Sequence, residues 1–427
     1  MAEKNRIDIA YGKGSVAIEA DPDLADWTVI RPTFEAALVD PKAGFVEASR
    51  SPIGSRPLRE VASSSDRVVI VTSDGTRPVP NRQLIPWILE ELDVPDDHVT
   101  VLLGNGTHRA NTSDEIAEMF GEDLANRIAI CNHDAYDQPG NVRVGQGAGD
   151  GDIWMDRAYV EADRRIVVGF IEPHFFAGFS GGAKGIVPGV AGIDTILRLH
   201  RAELIGDPMS TWGVMEGNPI QGEIAEAVAL CPPDFMVNVT LNSEKAITGY
   251  YLGHYREAHV AGCAAAKASS MVSVPKPFPL VVTSNSGYPL DQNLYQTVKG
   301  MSAAGRIVEQ DGTILVASEC VDGVPDHGNF AEIMRTGNSA DDVLTSVYAL
   351  ESPILDQWQA QVLARILQRA DVAVYSQLDD PEIRACKLDA VPDLEAAVRA
   401  RIDAIGRGNR VAVLPDGPLT IPFIKGD

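Results

Sequence analysis

The chain has 427 residues, 45% of them hydrophobic, with 36 Lys and Arg against 60 Asp and Glu, a formal charge of −24. At about 150 residues per domain this length predicts two to three domains, and so acidic a chain repels phosphate backbones and anionic lipid heads, which excludes nucleic acid and membrane surfaces as partners. No stretch approaches the roughly 18 apolar residues of a membrane span, Met1 to Asp8 carries no apolar leader core, and the five scattered cysteines (Cys131, Cys231, Cys263, Cys320, Cys386), odd in number, form no CxxC, so the expectation is a cytoplasmic protein without disulfides or a zinc ribbon.

The first predicted strand is Arg67–Ser73. A helix follows over Gln83–Leu92, where Leu84, Ile85, Ile88, Leu89 and Leu92 share a face and Pro86 is expected in the first turn. His98–Gly104 is the next strand. Thr112–Phe120 is a short helix with Thr112 and Glu115 spaced as a capping box. The Gly-rich run Asn141–Asp152 reads as a turn or hairpin insertion, and Arg165–Ile171 as a buried strand. Ile193–Leu204 reads as one helix with Ile193, Ile196, Leu197, His200 and Leu204 on one face. Phe235–Leu252 predicts two strands, and Glu257–Ser269 an Ala-rich helix. Three prolines within Ser273–Pro279 make that segment the expected linker. Beyond it come strand Pro279–Ser284, helix Asp291–Val308, strand Thr313–Ala317, helix Asp356–Ala370, strand Val372–Tyr375, helix Leu394–Ile405 and strand Arg410–Leu414. Strands that are apolar throughout, alternating with helices, predict parallel sheets covered on both faces. The fold class is α/β: two α/β domains with mostly parallel sheets, 1–272 and 273–427, and an interdomain active-site cleft.

In parallel α/β sheets, ligands sit at the carboxyl ends of strands, and three segments fall there. Ser73 to Pro80 brings hydroxyls, the Asp74 carboxylate and the Arg77 guanidinium to a helix start. That suits an anion or a nucleotide, with Arg77 as a fork for phosphate or carboxylate; a Pro-rich turn with a helix cap is the alternative. Gly104 to Arg109 offers His108 as a candidate base, or as an exposed turn histidine. Glu172 to Gly189 is the richest segment, with five glycines in the twelve residues from Gly178. Its Gly178-Phe179-Ser180-Gly181-Gly182 fits a GxSxG elbow but does not directly follow a strand, and Lys184 lacks the flanking residues of a P-loop. What remains is an anion-friendly loop presenting His174 and the Lys184 amine, which can bind phosphate or link to a carbonyl-type cofactor. His200 on its apolar face is either a satisfied core residue or a ligand. Tyr295, Gln296 and Lys299 near a helix start offer a hydroxyl, an amide and a cation to a carboxylate, or form a solvated face. No HxH or HExxH spacing is present, so no metal site comes from one helix. Imidazoles from two strand ends suit a reaction that needs a base on each face of a substrate, as racemisation does. Moving a hydride from Cα while a histidine takes the hydroxyl proton avoids a carbanion at a weakly acidic C–H.

Taken together, SDGTRPVP (73–80), GTHR (106–109), EPHFFAGFSGGAKGIVPG (172–189), His200 and GYPLDQNLYQTVKG (287–300) resemble the nickel-pincer lactate racemases, broadly the nickel-dependent 2-hydroxyacid racemases and epimerases. The resemblance implies an isomerase, a racemase or epimerase of a 2-hydroxy acid working by proton-coupled hydride transfer. Its implied cofactor is nickel in pyridinium-3,5-bisthiocarboxylic acid mononucleotide, the nickel-pincer nucleotide, linked to Lys184 through a thioamide. By the same resemblance His200 is the nickel ligand that completes a square-planar sulfur, carbon, sulfur and nitrogen set. His108 and His174 are the catalytic acid/base pair. Asp74, Gly75, Thr76 and Arg77 contact the cofactor nucleotide, and Arg77, Tyr295, Gln296, Lys299 and Trp358 bind substrate. Cofactor-biosynthesis proteins are implied as activating partners. One departure is Ala183, where lactate-acting members carry Arg; it leaves the substrate open among lactate, malate, 2-hydroxyglutarate, aryl-lactates and a sugar acid. The residues themselves leave two alternatives: a serine hydrolase using Ser180 with His254, His259 or His327, and a non-catalytic nucleotide- or anion-binding protein.

Overall fold

The computed structural model describes residues 5–147, 151–325 and 328–426. Two compact units share the chain. A middle unit comprises Phe34–Leu199 and Met209–Ser269; a terminal unit takes the residues up to Thr33, His200–Pro208, and the chain from Ser270 onward. The last boundary falls close to the expected cut at 273, but one cut does not divide this chain. Asp26–Val29 pairs in parallel with Arg410–Leu414. The hairpin of Asn5–Tyr11 with Gly14–Ala20 buries Ile7, Ile9 and Ile18 in one cluster with Leu280, Leu315 and Val411. Ladder hydrogen bonds and shared apolar burial therefore outweigh nearness in sequence. The expected linker is itself partly a strand, since Met271–Val274 runs parallel to Ile421–Ile424.

The middle unit is built on six strands in the order 247–253, 235–241, 164–170, 68–73, 99–104, 129–132. All neighbours are parallel except Ile247–Gly253, which is antiparallel to Phe235–Leu241. Val68, Val69, Ile70 and Val71 are all buried, as expected for a central strand covered on both faces. The helix Asn81–Leu92 buries Leu84, Ile85, Ile88 and Leu92, each worth about 1.5–3 kcal/mol of transfer free energy. It begins two residues earlier than predicted, so Pro86 lies past the first turn and cannot donate to the Arg82 carbonyl. The capping box at Ser113–Phe120 is complete: Thr112 Oγ accepts from the Glu115 N–H and the Glu115 carboxylate from the Thr112 N–H. Asn141–Gln146 and Asp152–Asp156 form the Gly-rich hairpin, whose residues 148–150 lie outside the described set.

The helix expected over Ile193–Leu204 is two helices, Ile193–Leu199 and Ala202–Gly206. Arg201 between them is extended, at φ −64° and ψ 152°. The chain passes from one unit to the other at His200, and Ala202 already belongs to the terminal unit's core. One straight apolar face cannot serve two separate cores. By its contacts His200 groups with the terminal unit.

The terminal unit has six parallel strands in the order 389–390, 370–375, 308–317, 278–284, 410–414, 26–29. Helix Leu294–Gly305 stops three residues short of the prediction, because strand pairing begins at Val308. Among the described residues no helix is long and apolar enough to cross a membrane.

Candidate active site

Strands Arg164–Phe170, Val68–Ser73 and Val99–Gly104 are adjacent and parallel, so their carboxyl ends share one edge of the middle unit's sheet. The chain runs from 68–73 outward to 99–104 and 129–132, then returns to 164–170 on the other side of the starting strand. The order reverses between 68–73 and 164–170, the position where such sheets open a crevice. The three sequence segments follow these three strands: Asp74–Arg77 follows the central one, His108 one neighbour, and His174 with Lys184 the other. A backbone bond from the Gly106 N–H to the Gly189 carbonyl, 3.0 Å, ties the second segment to the third.

Asp74 is nearly buried and its Oδ2 lies 2.7 Å from His108 Nδ1. The Thr76 hydroxyl donates to its Oδ1 at 2.6 Å. Burial alone would push the Asp74 carboxyl up, but the His108 bond, the Thr76 bond and the Arg77 charge outweigh it and hold the carboxyl below its usual range. An ionised carboxylate only accepts, so the proton between the pair belongs to His108 Nδ1. In the neutral ring that tautomer leaves Nε2 as an acceptor, on a ring about half exposed. Arg109 is turned to other work, since its guanidinium pairs with Glu115 at 2.6 Å.

His174 is arranged the other way round. The Ala177 N–H donates to its Nδ1 at 3.2 Å, so in the neutral ring the proton sits on Nε2. Phe175 and Phe176 pack on the ring at centroid distances of 5.0 and 4.5 Å. Lys184 is partly buried in the short helical turn Gly182–Gly185. Desolvation first, then the Arg77 charge, pull its ammonium down to about 8 against the opposing Glu172 carboxylate. About a tenth of the amine is therefore unprotonated at pH 7, the form that attacks a carbonyl.

The remaining candidates lie in the terminal unit. The His200 ring packs against Trp358 with centroids 4.4 Å apart and planes tilted by 43°, and the indole N–H donates to the Tyr295 hydroxyl at 3.1 Å. The Asn293 side chain caps the helix by accepting from the Gln296 N–H, and Lys299 Nζ donates to Gln296 Oε1 at 2.6 Å. The twelve candidates thus fall into two groups, Asp74, Gly75, Thr76, Arg77, His108, His174 and Lys184 in one unit and His200, Tyr295, Gln296, Lys299 and Trp358 in the other. Among the described residues no cluster of three or more His, Cys, Asp or Glu could hold a metal ion.

Ser180 is not set up as a nucleophile. Its buried hydroxyl donates to the Phe170 carbonyl and accepts from the Glu172 N–H. His259 reaches only its backbone carbonyl, His254 faces Glu257, and His327 lies outside the described residues. Asn238, which the motifs pass over, also touches this loop; its signal in the sequence is a lone amide in the apolar strand Phe235–Leu241.

Residues 11–213 match the lactate racemase N-terminal domain family and residues 275–421 the lactate racemase C-terminal domain family. The chain is 34% identical over 418 residues to a lactate racemase of Thermoanaerobacterium thermosaccharolyticum, covering 96% of this chain and 97% of that one. It is 35% identical over 421 residues to a lactate racemase of Lactiplantibacillus plantarum, covering 96% and 98%. The structure of the T. thermosaccharolyticum lactate racemase apoprotein superposes with a TM-score of 0.91 at 33% identity, over 98% of this chain and all of that one. A Thermotoga maritima protein shares the fold at a TM-score of 0.70 and 16% identity, over 92% of this chain and all of that one.

Proposed function

Because this chain belongs to the lactate racemase family, we propose that it racemises a small 2-hydroxy acid, with lactate the first candidate. The observation that carries this reading is the opposite proton placement on two histidines at one sheet edge. His108 keeps Nε2 bare because Asp74 holds its Nδ1 proton, and His174 keeps Nε2 protonated because the Ala177 N–H occupies its Nδ1. The bare His108 Nε2 can take a proton from a substrate hydroxyl, and either ring in its imidazolium form can return one. A racemase needs both capacities, and it needs them to interchange between the two directions.

In this reading the cofactor is a nickel-pincer nucleotide. The lowered Lys184 pKa favours the amine's attack on a carbonyl-type group, and Arg77 would be the fork for the phosphate. His200 offers one imidazole, enough for a metal whose other donors belong to the cofactor. When bound, that group supplies the acceptor and donor of the Cα hydride. Asp74 orients His108, and the Phe175 and Phe176 rings restrict water around His174. In this reading Arg77 is the middle unit's contact for the substrate carboxylate, and Gln296, Lys299, Tyr295 and Trp358 are the terminal unit's substrate-binding candidates. Ala183 adds no charge next to Lys184, so malate, 2-hydroxyglutarate, aryl-lactates and a sugar acid belong in the same test.

The test is circular dichroism of each enantiopure acid incubated with the full chain made alongside cofactor-making proteins. The expected result is loss of optical signal with lactate or one of these analogues. His108→Ala and His174→Ala should each lose at least about 10²-fold in rate while retaining nickel. A nickel-loaded chain that racemises none of these acids overturns the reading.

A further inference from the structure

Lys184 is only as well aimed as the loop that carries it, and two buried side chains outside every recognised motif hold that loop. Asn238 lies in the middle of strand Phe235–Leu241, opposite Gly169, and is fully buried. Its Oδ1 accepts the Gly182 N–H at 2.7 Å, while its own amide donates to the Val237 carbonyl at 3.0 Å. His259 lies on helix Glu257–Ser270 and is also buried. Its Nε2 stands 2.8 Å from the Ser180 carbonyl; a carbonyl only accepts, so Nε2 carries the proton.

The two contacts grip the peptides on either side of Gly181. Gly181 and Gly182 hold φ values of +76° and +55°, a left-handed conformation in which L side chains are strained. Space agrees with the dihedrals. A Cβ at Gly181 would stand 2.5 Å from Asn238 Oδ1, and one at Gly182 would stand 2.7 Å from the His259 ring. The Lys184 N–H then closes the turn on the Gly181 carbonyl at 3.2 Å. The glycines let the backbone reach the two side chains, and the two side chains fix the turn from which Lys184 leaves.

We propose that Asn238 and His259 are positioning residues for Lys184, clamping the Ser180–Gly182 peptides so that the amine is held desolvated and aimed for its covalent link. The inference rests on Lys184 as the cofactor anchor. It assigns Asn238 and His259 no contact with substrate.

The experiment follows acylation of Lys184 by an amine-reactive ester against pH in the cofactor-free full chain, read by peptide mass, with exposed Lys42 as internal control. In the native chain the labelling midpoint is expected near 8. Asn238→Leu and His259→Leu should raise it by a unit or more, a loss of at least about fivefold in labelling at pH 8. His259→Gln, which restores an N–H donor, should stay within about twofold of native. A purely structural role would lower Tm without moving the Lys184 midpoint. Unmoved midpoints in folded Leu variants, or a Gln variant shifted as far as Leu, overturn the proposal. If the Leu variants do not fold, hydrogen exchange of the Gly182 amide in the native chain decides: strong protection supports the clamp, and exchange at the unstructured rate overturns it. Labelling needs no substrate, so the two readings fail separately. A moved midpoint without racemisation sinks the function alone, and racemisation with an unmoved midpoint sinks the clamp alone.

Discussion

Lys184 couples the site to stability. Its folded pKa of about 8 lies below the ordinary lysine value, so between about 8 and 10.5 the unfolded chain binds more protons than the folded one. Stability therefore rises with pH through that window, and below about 8 the full cost of the desolvated ammonium remains. Lys184→Met should melt higher than the native chain at neutral pH, and the gap should narrow as pH approaches about 10, measured as the difference between the two Tm values. Asp74 is read through tautomers. Asp74→Asn can donate to His108 Nδ1 and move the ring proton to Nε2, which removes the bare acceptor. The expected loss is about 10²–10⁴-fold in kcat with little change in KM, from initial racemisation rates in both directions. Lys184 and both histidines were legible as residue types in a Gly-rich, strand-end setting. Their proton placement was not, because it is set by partners far away in sequence or by a local N–H whose direction only the folded turn decides.

Among the elements, the capped helix Ser113–Phe120 is the one whose sequence signal carried furthest. Thr112 and Glu115 satisfy each other's N–H groups as their spacing predicts. Thr112→Ala should cost about 1 kcal/mol, read from the urea midpoint of unfolding at constant m-value. The long helix expected over Ile193–Leu204 fails instructively. Its periodicity is real on both sides of His200, but the two stretches face different cores. A periodic pattern records which residues are buried and not which core buries them. The same limit explains the N-terminal hairpin and Asp26–Val29. These short, mixed segments gain their partners, one of them Arg410–Leu414, only from the far end of the chain. Asn238 belongs to this scale as well: a polar residue in an apolar strand announces a buried partner, here the Gly182 N–H, without naming it.

For the whole molecule, a net charge of −24 sets up self-repulsion that salt screens. The Tm should rise by a few degrees between about 10 mM and 200 mM sodium chloride, where the Debye length falls from about 30 Å to under 10 Å; a Tm that falls with salt would mean that native ion pairs outweigh the repulsion. Taken alone, the sequence determined the α/β class, the parallel character of both sheets and most strands and helices within a few residues, because these follow from local periodicity and from glycine and proline chemistry. It also carried the family resemblance, since rare residue types in a fixed order do not depend on knowing the fold. Only the tertiary structure decided that the chain's first 33 residues and His200–Pro208 belong with the C-terminal half. It alone decided which imidazole nitrogen carries the proton in each neutral ring and that Asn238 and His259 hydrogen-bond the Gly182 and Ser180 peptides. Those outcomes depend on pairings across tens to hundreds of residues, whose hydrogen-bond and burial energies come into being only when distant segments meet.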